Sequence, residues 1–387
     1  MREMRHSLAP LADTHHPERP VHLMQVTYSL GVGGSEGLAR DLALGLQSPA
    51  LRCSVCAVDM GGPLAEELSQ AGISTRVMGR RTGFDWRLVL RFYGLFLRAR
   101  PDIVQTHHLT QLVYAGAAAR LAGARLVHVE HEYFSLMNPR SKRRLSVLAK
   151  LCHRIVAVGE EVRTFLVREV GLDPDHVETI PNGIDLTRYT LEPRVSREAL
   201  GLAPEVRLIG NIARLEPDKD HETLLSAFRT VHHRHPSARL VLVGDGTLRR
   251  RLCEIAAELG ILGHVDFLGV RRDVSDLLPH FDVFALSSVR EGLPLAVLEA
   301  MASGRAVVAT VVGELPRLIE DGITGHTVPP NNPGALAAAI CAVMGSASSA
   351  QRLGLAARQT VARRFDLTTT VRRYRDVYKS LLPRTIR

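Results

Sequence analysis

Two glutamates with seven residues between them, in the run Glu291-Gly292-Leu293-Pro294-Leu295-Ala296-Val297-Leu298-Glu299, are the sharpest chemical signal in the chain. A strand candidate at residues 283–286 precedes them, Pro294 suits the first helical position, and Gly304 can end the helix. Glu291 then sits in the loop outside a sheet, with Glu299 displaced by about 7–8 Å up the helix at about 1.5 Å per residue. Helix N-terminal amides lie between the two carboxylates. Such a site holds an anion, with one carboxylate free for the hydroxyls of a sugar and the other for those of a ribose. An ordinary amphipathic helix explains Glu299 alone, not its combination with the turn.

Cations stand at a second place. The strand ending at Asn211-Ile212-Ala213 runs into Arg214, and Lys219 follows five residues later at an expected helix start. Two cations at a strand's carboxyl end beside a helix N-terminus form a pocket for a diphosphate; solvated surface charge is the plainer alternative. Asp218 and Asp220 spell D-x-D, a spacing that elsewhere holds a divalent metal. Flanked by Arg214 and Lys219, they read instead as acids complementing the helix dipole, and no metal is expected.

Gly31, Gly33 and Gly34 follow the first strand, and Ser35-Glu36 opens the next helix. This turn lets backbone N–H groups approach an anionic or sugar ligand. A tight turn that needs glycine only for its dihedrals is the bland reading. The spacing is not G-x-G-x-x-G, so a nicotinamide cofactor is a poor fit. Among 17 histidines, His131 in Val129-Glu130-His131-Glu132 ends a strand at the cleft-facing edge, where its imidazole can bond a sugar hydroxyl or a leaving-group oxygen. A structural histidine is its alternative. His107 and His108 end another strand and either line an acceptor side or lie at the surface.

The elements that must position these residues follow a regular rhythm. Short β-branched runs alternate with helical stretches, as in parallel sheets covered on both faces. Strand candidates fall at 21–28, 53–58, 74–78, 103–106, 126–130, 155–158 and 177–180, then at 208–212, 240–243, 265–268, 283–286, 306–310 and 326–328. A turn-rich stretch from Pro181 through Pro193 and Pro204 separates the two series and suits a linker. Two doubly wound α/β domains are expected, at 21–190 and 191–365. Within 366–387, Asp366 is a helix cap, and Leu367, Val371, Tyr374, Tyr378 and Leu381 form one apolar stripe expected to pack back on the first domain.

Composition bounds the rest. A chain of 387 residues suggests about two to three domains, and 45% apolar with 23% charged side chains supplies sizeable cores. Glu299, Arg305 and Glu314 interrupt even the richest apolar stretch, so no transmembrane anchor is expected. Residues 1–20 lack an apolar core and are expected to form a mobile tail, not a secretory signal, in a cytosolic protein. Five scattered cysteines argue against a disulfide framework. Cys53 and Cys56 would face opposite sides of a strand, as core residues. The net charge of +9 favours an anionic partner. Aromatics at only 5% leave little for base stacking, so nucleic acid is not the expected partner.

Residues 133–159 contain no acid but carry Arg140, Lys142, Arg143, Arg144, Lys150 and Arg154, with Leu145, Leu148, Leu151 and Cys152 interleaved. Two readings stand equally: an amphipathic helix whose basic face meets anionic lipid, or a solvated face beside a phosphate-binding cleft.

Glu291 with Glu299, Arg214 with Lys219, Gly33-Gly34-Ser35-Glu36 and Pro181-Asn182-Gly183-Ile184-Asp185 together resemble the large retaining glycosyltransferase family 4 (group 1). Its fold, GT-B, sets two Rossmann-like doubly wound parallel-sheet domains around a central cleft. The resemblance covers nearly everything from residue 21 to 382, and within the family is greatest to bacterial enzymes of polysaccharide or exopolysaccharide assembly, some tied to exosortase systems. It implies that Arg214 and Lys219 neutralise the diphosphate of a UDP- or GDP-sugar, that Glu291 contacts the donor sugar and that Glu299 binds the ribose. Gly292, Leu293, Pro294 and Leu295 would offer amides, Gly244 would line the cleft, and Val270 and Arg271 would lie near the base. Gly33 and Gly34 would approach the phosphates, and His131 would meet the sugar near the reacting carbon. No cofactor is implied, and the acceptor would be a glycan or lipid-linked molecule, reached in the cytoplasm or at the inner face of the cytoplasmic membrane. One departure is Asp220, where the family often has glycine. The same scaffold also hosts epimerases and phosphorylases, and a nucleotide-sugar-binding protein without turnover is a third reading.

Overall fold

Strands buried on both faces pair in parallel and need crossover helices to cover them. The computed structural model describes residues 19–31, 33–203 and 206–382; residues 1–18 of the expected tail, Pro204 of the linker and residues 383–387 lie outside them. The first sheet contains β1 (Val21–Ser29), β2 (Leu51–Met60), β3 (Ser74–Val77), β4 (Ile103–His107), β5 (Arg125–Glu130), β6 (Arg154–Ala157) and β7 (Val177–Thr179). The second contains β8 (Arg207–Ile212), β9 (Ala238–Val243), β10 (Val265–Gly269), β11 (Val283–Leu286), β12 (Ala306–Thr310) and β13 (His326–Val328). Every expected strand is present, with ends moved by at most two residues.

The spatial order is β3-β2-β1-β4-β5-β6-β7 in one sheet and β10-β9-β8-β11-β12-β13 in the other, all parallel. Each order reverses once, between β1 and β4 and between β8 and β11, and a crevice opens at the carboxyl ends of such a strand pair. β1 leads into the glycine turn and β4 ends at His107. In the second lobe β8 leads to Arg214 and Lys219, and β11 leads to Glu291. Four of the five segments with chemical signals therefore leave the four strands that flank the two switch points, and the fifth, at His131, leaves β5, the next strand beyond β4. This is the two-lobed Rossmann-like architecture called GT-B.

Alternation within β2 sends Cys53 and Cys56 into the two different cores on either side of the first sheet. Both thiols are free, and burial pushes each up to about 12. The chain crosses between lobes twice. At the crossing Ile184 N donates to Phe365 O at 2.9 Å and Leu367 N donates to Ile184 O at 3.0 Å. Gly183 leaves no room for a side chain there, because a Cβ would come within 2.7 Å of Leu367 Cα. The helix Leu367–Leu381, capped by Asp366, then buries Val371, Tyr374 and Tyr378 in the core of the first lobe. Among the described residues no single helix is long and apolar enough to cross a membrane.

Candidate active site

The two second-lobe loops that flank the switch point are zipped together. Val289 N donates to Asp218 O and Ser287 Oγ donates to Lys219 O, both at 2.9 Å. This fixes the backbone from which Lys219 reaches Glu291, Nζ to Oε1 at 2.8 Å, while Ser288 Oγ donates to the same oxygen at 2.6 Å. The Glu291 residue is 7% exposed, so the ion pair is largely shielded from water. Arg214 lies further out, its side chain 70% exposed and 3.9 Å from Asp218. It is the more available of the two cations.

Asp220 takes φ +46, the left-handed conformation that glycine adopts most freely. Aspartate also tolerates it, and its side chain repays the strain by accepting from Thr223 N at 3.3 Å as the cap of the helix His221–Arg234. The departure from glycine therefore leaves the turn tight. Asp218 instead pairs with Lys219 at 3.4 Å. Gly244 packs against Ala213 and Arg214, which draws residues 244–247 to the rim of the site.

Pro294 caps the helix Leu295–Ala302, one position earlier than expected, and Leu293 is buried beneath it. Glu299 lines an inter-lobe cavity of about 400 Å³ together with Gly33, Leu295, Arg271, Arg40 and Tyr189. Tyr189 Oη donates to Glu299 Oε1 at 2.9 Å. Burial pushes the Glu299 carboxyl above its usual range, against that hydrogen bond and the charges of Arg188 and Arg40. Tyr189, Arg40 and Arg188 were not singled out in the sequence, because their link to Glu299 spans more than a hundred residues and has no local pattern. Val270 is 62% exposed and does not line the cavity; Arg271 and Arg272 do.

The first lobe contributes a histidine cluster. His131 is 8% exposed, and its Nε2 lies 2.9 Å from His107 Nδ1. His107 corrects the expectation of an acceptor-side residue: every residue of β4 is buried, and its ring is sealed among Gln25, Gln105 and His131. His108 does reach a groove, one of about 570 Å³ lined also by Arg80, Phe84, Glu132, Ser141 and Arg144. Its Nδ1 lies 3.1 Å from Glu130 Oε1. Burial disfavours charge on His108, but the bond to Glu130 outweighs it and the pKa rises. For Glu130, burial would raise the pKa, yet bonds from His108 and His128 hold it at about 2. Burial, reinforced by the His108 charge, lowers His107 to about 3 and His131 well below its ordinary value. Both rings are therefore neutral.

The lobes meet at several points where at least one side of the contact is backbone. A Cβ on Gly292 would fall 2.5 Å from His131 O, and one on Gly34 would lie 3.8 Å from Leu295 Cδ1. Glu314 Oε1 accepts from Glu161 N at 2.5 Å and so reaches from the second lobe to the start of the helix Glu160–Arg168 in the first. Glu291, Lys219, Gly292, His131 and Gly34 thus meet at one seam.

A family model described as Glycosyltransferase Family 4 matches residues 32–188, and one described as Glycosyl transferases group 1 matches residues 194–360. A UDP-Gal:alpha-D-GlcNAc-diphosphoundecaprenol alpha-1,3-galactosyltransferase of Escherichia coli is 27% identical over 64% of this chain and 67% of its own. A D-inositol 3-phosphate glycosyltransferase of Nocardia farcinica is 34% identical over 54% and 49%. The chain thus spans about half to two thirds of the length of these relatives. Anabaena HepE, crystallised with UDP and glucose, superposes with a TM-score of 0.83 at 23% identity, over 93% of this chain and all of that one, and so shares the fold.

Proposed function

The chain belongs to the glycosyltransferases of family 4, group 1, and on that premise we propose that its cleft transfers a sugar from a nucleoside-diphosphate donor to a hydroxyl of a glycan or lipid-linked acceptor. The observation that carries the reading is the Lys219–Glu291 pair at the seam of the lobes, with Arg214 outside it and Glu299 in the adjoining cavity. The diphosphate lies against Lys219, Arg214 and the amides of residues 292–295, and the ribose against Glu299. The anomeric C–O bond breaks toward the diphosphate, and these groups take up the negative charge that develops, usually the largest catalytic contribution. The acceptor hydroxyl adds to the anomeric carbon and passes its proton to the departing phosphate oxygen.

Retention of configuration is part of this proposal. Glu291 is held by Lys219 and Ser288, which supports a positioning role over nucleophilic attack. No metal is assigned: Asp220 caps its helix through Oδ1, Asp218 pairs with Lys219, and among the described residues no group of three or more His, Cys, Asp or Glu side chains is placed to hold a metal ion. Incubation with labelled UDP- and GDP-sugars tests the class of reaction. Label should move to an acceptor with the configuration kept, whereas an epimerised donor or phosphorolysis without transfer would favour the scaffold's other chemistries.

The acceptor is read as lipid-linked, in polysaccharide assembly at the inner face of the cytoplasmic membrane. In the basic segment first singled out, Lys142 is tied to Glu169 at 2.8 Å, while Arg140, Arg143 and Arg144 remain exposed. The helix Trp86–Ala99, with Phe84 in the loop before it, adds a face not recognised in the sequence: Phe84, Trp86, Leu90 and Leu97 are 70, 58, 58 and 49% exposed, interleaved with exposed Arg87, Arg91 and Arg98. Apolar groups flanked by arginines suit an anionic bilayer. The groove that ends at His108 begins between the two segments, at Phe84 and Arg144. Trp86 is the single tryptophan of the chain and reports directly on this contact. Its emission should shift to the blue with phosphatidylglycerol vesicles and not with phosphatidylcholine; an unchanged spectrum at low salt sinks the membrane reading.

A further inference from the structure

A chain of buried polar side chains runs from the helix that returns across the lobes to the edge of the cleft. Tyr378 Oη donates to Gln105 Oε1 at 2.6 Å. Gln105 Nε2 lies 3.2 Å from Gln25 Oε1, His107 Nε2 lies 3.1 Å from that same oxygen, and the two nitrogens are 3.3 Å apart. His107 Nδ1 then meets His131 Nε2 at 2.9 Å. Gln25, Gln105 and His107 are fully buried, so each proton in this network must be accounted for.

The amides can be oriented without ambiguity. Gln25 Nε2 donates to Ala39 O at 2.7 Å, and a carbonyl can only accept, so Gln25 Oε1 is the atom that faces the cluster. Gln25 Oε1, which can only accept, in turn fixes Gln105 with its Nε2 toward it, and Gln105 Oε1 is left to accept from Tyr378 Oη. The remaining question is which nitrogen of His107 carries the proton. Gln25 Oε1, Gln105 Nε2 and His107 Nε2 form a nearly equilateral triangle, with corners of about 60°, whereas the two N–H bonds of one amide diverge by about 120°. Gln105 can therefore direct one hydrogen well at Gln25 or at His107, but not one at each. If His107 is protonated on Nε2, both nitrogens donate to the one oxygen and every group is satisfied. The opposite tautomer sets an imidazole lone pair 3.1 Å from a carbonyl oxygen.

We propose that Gln25, Gln105 and Tyr378, acting through His107, hold His131 as the Nε2–H tautomer, so that its Nδ1 is a fixed acceptor for one hydroxyl of the transferred sugar. With His107 protonated on Nε2, its Nδ1 is a lone pair and takes the Nε2–H of His131. His131 Nδ1 has no partner among the described residues and is not among the sealed unpaired atoms. It accepts a sugar O–H, and it has no proton to give to a leaving group. Gln25, Gln105 and Tyr378 are positioning residues. The role given to the sugar rests on the proposed transfer reaction; the tautomer does not.

The test is a long-range ¹H–¹⁵N correlation spectrum of the full chain labelled at histidine, with the His131 and His107 signals assigned by His131→Gln and His107→Gln. Both rings should show the pattern of a neutral imidazole protonated on Nε2. In Gln25→Met the acceptor is gone, Gln105 donates to His107 Nε2, and both rings should switch to Nδ1–H. Transfer should fall about tenfold, as for loss of one hydrogen bond in the transition state. A wild-type His131 protonated on Nδ1, or a Gln25→Met spectrum without the switch, overturns the relay whatever the activity. A switch with undiminished transfer retains the relay and removes the sugar from it. If Gln25→Met does not fold, the wild-type spectrum alone decides.

Discussion

Lys219→Ala is expected to lower the rate of sugar transfer by about 10²–10³-fold, with donor affinity falling less, because the ammonium acts mainly on charge that appears as the diphosphate departs. The lysine side chain is only 14% exposed, so its interactions are screened less than those of a surface cation. Removal also affects Glu291, whose carboxylate keeps Ser288 but loses its counter-charge in a site 7% exposed. A buried carboxylate left without its counter-charge costs about 3–5 kcal/mol. Thermal unfolding should therefore move down together with kcat. Adding Glu291→Gln to Lys219→Ala should recover the melting temperature and none of the activity. Transfer within threefold of wild type in Lys219→Ala would remove the lysine from the mechanism.

Gly292→Ala should be nearly as damaging, for a steric reason. The added methyl falls 2.5 Å from His131 O, a backbone atom of the opposite lobe that cannot swing aside. On the other flank Gly292 O accepts from Glu314 N at 3.2 Å, so the loop has little room to retreat. Either the lobes part or Glu291, the preceding residue, is displaced from Lys219. Misplacement by about 1 Å of groups that must converge on one reacting bond costs about 100-fold in rate. The fall should appear in kcat, with an increased radius of gyration in solution scattering if the lobes open. Full activity with an unchanged radius would show that the seam between Gly292 and His131 is not closed during turnover.

Alternating β-branched and helical runs were enough to locate the thirteen strands of the described residues: inner strands such as β11 and β12 are buried apolar stretches, while the more exposed edge strands β3 and β13 were marked by their place in the rhythm. The site residues that lie next to a strand end, such as Lys219 and Glu291, were legible for the same reason. What joins them was not. Tyr189 reaches Glu299 across 110 residues, and Glu314 reaches Glu161 across 153. Nothing local in either segment marks the partner. His107 was misjudged because β4 is buried throughout, so there is no alternation to separate a core histidine from a cleft one. The apolar face of the helix Trp86–Ala99 was equally hidden: Leu88, Phe92 and Phe96 turn inward while Trp86, Leu90 and Leu97 turn out, and the sequence alone does not distinguish two apolar stripes.

The central claim is that one diphosphate is gripped at the seam of the lobes. A crystal structure of this chain with UDP, and a second with GDP, measures it most directly. The account predicts a β-phosphate within hydrogen-bond distance of Lys219 Nζ and the 292–295 amides, with the ribose hydroxyls on Glu299. A nucleotide bound elsewhere, or a seam left empty at saturating concentrations of both, would contradict it.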